Sequence, residues 1–88
     1  MYKGYIYIPT KEYLGVIQDE LDGTGSSISK IKTCQTRNGD WIIVYVQSQT
    51  ANHYKFFMYE LKKKLTQLGM YLEFKKLNAI RKGITNDR

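Results

Sequence analysis

Asp19, Glu20 and Asp22 crowd three carboxylates into four residues, Ser26, Ser27 and Ser48 supply hydroxyls, and His53 and Cys34 are the single histidine and the single cysteine. Each could do chemistry. A magnesium site needs oxygens converging at near-octahedral geometry, and acids bunched at one helix end read as solvated surface instead. A serine nucleophile needs a base that a third group orients; His53 is the sole base on offer and no orienting carboxylate is evident. Gly23-Thr24-Gly25-Ser26-Ser27 is glycine-rich, but it follows a helix and precedes a strand, the reverse of a phosphate-binding loop. One cysteine allows neither an intramolecular disulfide nor a thiolate-built metal site, and Cys34 reads as a small strand residue. The expectation is a non-enzymatic protein without cofactor or metal.

Aromatic residues carry the more informative signal. In WIIVYVQ, residues 41–47, period two puts Ile42, Val44 and Val46 on one side and Trp41, Ile43 and Tyr45 on the other. In YKGYIYI, residues 2–8, it separates Gly4, Ile6 and Ile8 from Lys3, Tyr5 and Tyr7. The aliphatic sides suffice for a core, so Trp41, Tyr45, Tyr5 and Tyr7 need another reason. Charge supplies one. The net +6 is uneven: residues 1–52 balance, whereas residues 53–88 hold nine Lys and Arg against Glu60, Glu73 and Asp87. An asymmetric excess of cations points to an anionic partner.

The elements that must position these residues follow from periodicity and punctuation. The first strand covers 2–8; Pro9 ends it and Thr10 caps a helix running to about residue 22, with Leu14, Ile17 and Leu21 as its stripe and Gly23 as its stop. A second strand, 28–36, is expected to bulge near Ser29, with Ile31 and Thr33 inward and Lys30, Lys32 and Cys34 outward. Arg37-Asn38-Gly39-Asp40 makes a tight hairpin into the third strand. Thr50 or Asn52 caps a second helix, in which Tyr54, Phe57, Met58, Leu61, Leu65 and Leu68 recur at spacings of three and four until Gly69. YLEFKKL, residues 71–77, alternates Leu72 and Phe74 against Tyr71, Glu73 and Lys75 and reads as a fourth, edge strand. Residues 78–88 remain as a basic tail.

An 88-residue chain forms one domain. The order β-α-β-β-α-β predicts a ferredoxin-like α+β sandwich over residues 1–77: two helices on one face of a four-stranded antiparallel sheet, the first and third strands central. The open face would then hold Tyr5, Tyr7, Trp41, Ile43 and Tyr45 in the middle and Lys30, Lys32, Tyr71 and Lys75 on the flanking strands. Flat rings ringed by cations suit unpaired bases and their phosphates, so single-stranded RNA or DNA is the expected partner. Lys62, Lys63, Lys64, Arg81 and Lys82 would widen the electrostatic footprint. The same aromatic face also suits a protein partner, including a second copy in a homodimer, as a small regulator or inhibitor would use it.

The layout is similar to that of RNA-recognition motif domains. Ile6-Tyr7-Ile8 resembles that family's first-strand motif, which implies stacking on Tyr7, and Arg37, Gly39 and Trp41 echo its third-strand motif, from which Asp40 and Ile43 depart. No run of apolar residues is long enough to span a membrane and the N-terminus is unlike a secretory signal, so a cytoplasmic protein with no membrane partner is expected.

Overall fold

A computed structural model describes residues 1–36 and 39–86, with side chains through residue 79 other than that of Thr36. The elements are β1 (Tyr2–Ile8), α1 (Glu12–Leu21), β2 (Ser26–Thr36), β3 (Gly39–Ser48), α2 (Ala51–Gln67) and α3 (Tyr71–Asn86). β3 lies at the centre of a three-stranded sheet, antiparallel to β1 on one side and to β2 on the other. Arg37 and Asn38 of the expected hairpin turn lie outside the described residues.

Ile6, Ile8, Ile42, Val44 and Val46 form the apolar sheet face, and Tyr13 and Ile17 of α1, Phe57, Leu61 and Leu65 of α2, and Phe74 of α3 pack onto it. Gly4 has no side chain because Tyr54 lies there: a Cβ at Gly4 would come within 2.6 Å of the ring. Thr50 caps α2, accepting the His53 amide at 3.2 Å. The expected cap of α1 is absent; Lys11 occupies the N-cap position without a side-chain bond, and Thr10 contributes its carbonyl to the Tyr13 amide.

The four-stranded ferredoxin-like layout is wrong at its last element: YLEFKKL begins a helix. The reason starts at the end of α2. Gly69 takes φ +74°, its amide bonds Thr66 O, and the Met70 amide bonds Leu65 O at 2.8 Å, the paired bonds of a Schellman motif. Phe74 N then reaches Met70 O, so a new helical turn opens at once. Along it Met70, Tyr71, Phe74, Leu77 and Asn78 turn toward the protein while Leu72, expected inward, is 81% exposed. Strand and helix readings both bury Phe74; they differ at Leu72, two residues along a strand's face but on the opposite side of a helix. Leu, Glu and Lys favour the helix, and residues 71–79 contain no β-branched residue. Two corrections follow. Tyr71 and Lys75 belong to α3 and not to the open sheet face, and β1 is an edge strand, not a central one. The boundary expected after residue 77 falls inside α3.

With no fourth strand in the described sheet, α3 itself meets the edge of β1 at Tyr7. Asn78 Oδ1 accepts the Tyr7 amide at 3.1 Å, and its Nδ2 donates to Tyr7 O at 2.9 Å and to Phe74 O at 2.8 Å. One side-chain amide thus reproduces a strand's pair of ladder bonds. Tyr13 ties the other end of α3 to α1: its hydroxyl lies 3.2 Å from Met70 O and 3.3 Å from Glu73 Oε2.

Asn78→Ala should destabilise the fold by about 1–3 kcal/mol, the cost of stranding partly buried amide groups, measurable by urea unfolding. Burial, followed by the nearby Glu73 carboxylate, raises the Tyr13 phenol above its ordinary value, and burial raises that of Tyr54. A raised phenol stabilises the folded state fully below about pH 10 and loses that contribution as pH climbs through the elevated value. Stability should therefore fall above pH 10, and less steeply in Tyr13→Phe.

Candidate functional site

Strand register decides which side chains share the sheet face away from the helices. Tyr7 pairs with Ile43, Tyr5 with Tyr45 and Lys3 with Gln47, so these residues and Trp41 lie on one face. On β2 the alternation would have sent Ser29, not Lys30, to that side. A bulge between Ile28 and Lys30 shifts the register by one residue, so that Lys30 pairs with Tyr45, Lys32 with Ile43 and Cys34 with Trp41. The expected bulge is present, and Ser29 Oγ fastens it with a 3.3 Å bond to Tyr45 O. It turns Lys30 and Lys32 toward the aromatic face.

The rings form one continuous series. Trp41 and Tyr7 meet edge to face at 6.0 Å, Tyr7 and Tyr5 edge to face at 5.9 Å, and Tyr5 and Tyr45 tilted at 5.9 Å. Lys30 Nζ stands 5.7 Å from the Tyr45 ring centre, a cation–π contact. Exposure divides the series by role. Tyr5 is 54% exposed, Trp41 and Tyr45 are half-buried, and Tyr7 and Ile43 are buried at 4% and 9%. Lys3, Lys30 and Lys32 are exposed, and among the described residues this face carries no acid. Lys3 was legible as a neighbour of Tyr5 by strand parity, though its charge was not counted toward the site.

The other expected basic residues lie elsewhere. Lys62, Lys63 and Lys64 stand on α2, which packs on the opposite face of the sheet. There Lys62 lies 5.5 Å from the Tyr71 ring centre, and Lys63 lies 5.3 Å from that of Tyr59 while pairing with Glu60 at 3.4 Å. Lys75 is exposed on α3. Arg81 and Lys82 lie in α3, but their side chains fall outside those described.

The catalytic candidates have structural partners. His53 Nδ1 and Thr50 Oγ1 are 2.6 Å apart, and Ser26 Oγ lies 2.6 Å from Ser48 Oγ. Among the described residues, no three His, Cys, Asp or Glu side chains converge as a metal site would require, and no helix is long and apolar enough to cross a membrane. No family model, curated protein or solved structure matches the chain.

Tyr7 and Tyr5 differ in a way that can be measured. Tyr7→Ala empties a buried position and should cost about 3–5 kcal/mol of stability, whereas Tyr5→Ala should cost about 1 kcal/mol or less. Thermal and urea unfolding of the two variants distinguish the supporting ring from the exposed one.

Proposed function

We propose that the protein binds single-stranded nucleic acid on the open sheet face, without catalysing a reaction. The observation that carries this reading is the convergence of exposed or half-exposed rings (Tyr5, Trp41, Tyr45) with Lys3, Lys30 and Lys32 on a face that has no described acid. Rings stack on any base, and the cations attract phosphate. Ring spacing favours an unpaired strand. Bases in a duplex lie about 3.4 Å apart along each strand, whereas the exposed rings of Trp41 and Tyr5 flank the buried Tyr7 and stand 5.9–6.0 Å from it on either side, so bases seated on them are not stacked on one another. Lys62, Lys63 and Lys64 of α2, on the opposite face of the sheet, would contribute long-range attraction but no contact to a strand lying on the open face.

Fluorescence anisotropy of labelled single- and double-stranded oligomers tests this. Single strands should bind more tightly than duplex, and affinity should fall with salt at a log–log slope of about −0.7 per neutralised phosphate. Trp41→Ala combined with Tyr5→Ala should weaken binding by about 1–3 kcal/mol per lost stack, and Lys30→Glu with Lys32→Glu should weaken it further at low salt. A salt-indifferent dimer that binds no oligomer would assign the face to protein contact and overturn the reading.

A further inference from the structure

We propose that the ligand occupies this face as a run of three unpaired nucleotides, its outer bases on Trp41 and Tyr5 and its middle base on no exposed ring. This inference rests on the nucleic-acid reading and specifies the ligand. Four rings form the series, but two of them cannot each seat a base freely: Tyr7 is 4% exposed, and the half-buried Tyr45 ring has Lys30 Nζ over it at 5.7 Å. Trp41 and Tyr5 remain.

Their separation sets the length of the ligand. Each stands about 6 Å from Tyr7, which the register places between them, and Trp41 lies four residues along β3 from Tyr45, the partner of Tyr5, roughly 13 Å of strand at about 3.3 Å per residue, so the two rings stand about two ring spacings, roughly 12 Å, apart. A nucleotide contributes six backbone bonds, twice the number in an amino acid, whose extended reach is roughly 3.3–3.6 Å, so one nucleotide step spans about 7 Å at most. Adjacent nucleotides therefore fall short of the row's full length, and two steps cover it. The lysines match this count. Lys32 lies level with Tyr7, across Ile43, and Lys30 lies level with Tyr5, across Tyr45. A trinucleotide has two linking phosphates, and these two cations stand along its path between the outer rings, Lys3 lying beyond Tyr5.

The test is a competition series in which unlabelled oligomers of two to eight nucleotides displace a labelled longer strand, with abasic substitutions at each position of the trinucleotide. Affinity should rise sharply from two to three nucleotides and afterwards only with the number of equivalent registers. Removing either outer base should weaken binding roughly 5- to 150-fold, and removing the middle base should change it little. In Tyr5→Ala, one outer base should lose its contribution while the other keeps it. The salt slope of the trinucleotide should be about −1.4, as two phosphates require. Steady gains for every added nucleotide, or a middle base that matters as much as the outer ones, would overturn the three-nucleotide footprint while leaving single-strand binding intact. Failure of every oligomer to bind would overturn both.

Discussion

The side chain of Asn78 holds together what the missing fourth strand would have held. A sheet edge exposes amides and carbonyls that must find partners, and an open edge invites pairing with another chain. By the antiparallel alternation Tyr7 turns its amide and carbonyl outward from β3, and Asn78 meets both while also bonding Phe74 O one helical turn back. The clamp fixes α3 against β1 and with it Phe74 in the core. It also pins the backbone of the residue whose ring stands between Tyr5 and Trp41. Core and open face are thus joined through one backbone unit.

A second constraint is strand parity. In the central strand β3, Ile42, Val44 and Val46 must face the helices if Trp41, Ile43 and Tyr45 face away, and β1 follows through its unbroken register. β2 keeps that pattern only because of its bulge. Without the extra residue, Ile31 would turn to the open face and Lys30 and Lys32 to the helix side; with it, Ile28 pairs with Val46 and Lys30 with Tyr45. A single irregularity therefore sets both the hydrophobic match and the charge of the opposite face. Ile31 is nonetheless 47% exposed, because the helices pack mainly over β1 and β3 and leave this part of β2 uncovered.

The chain as far as Gly69 was legible because most of its elements have a clean period and a strong punctuation mark. Pro9 follows β1, Gly23 follows α1 at φ +76°, and Thr50 and Gly69 bracket α2. Strand faces, the bulge and the α2 stripe followed from those signals. α3 was not legible from alternation, since Leu72 and Phe74 satisfy a strand pattern over so short a span. The helix propensity of residues 71–79 and the spacing of Met70, Phe74 and Leu77 were the better guide. Asn78 had no local signal at all: its role depends on a partner 71 residues away. The aromatic face was legible as a set of residues but not in its division of exposure, because burial of Tyr7 depends on packing that alternation does not encode.

That division separates the rings of this face that support the fold from those that would be available to a ligand. A row of equally exposed aromatics would be an apolar patch prone to association, while a fully buried row would have no surface to offer. Here Tyr7 and Ile43 are withdrawn, and the rings beside them, Trp41, Tyr5 and Tyr45, are held edge-on or tilted with their positions fixed by neighbours. Contact area that is already ordered loses little conformational entropy when a ligand arrives. The cations obey the same logic. Lys30 rests against Tyr45, whereas Lys62 and Lys63 rest against Tyr71 and Tyr59 on the other side of the molecule. A net charge of +6 draws an anion toward the whole protein; the bulge in β2 determines which lysines would be within reach of one lying on the rings.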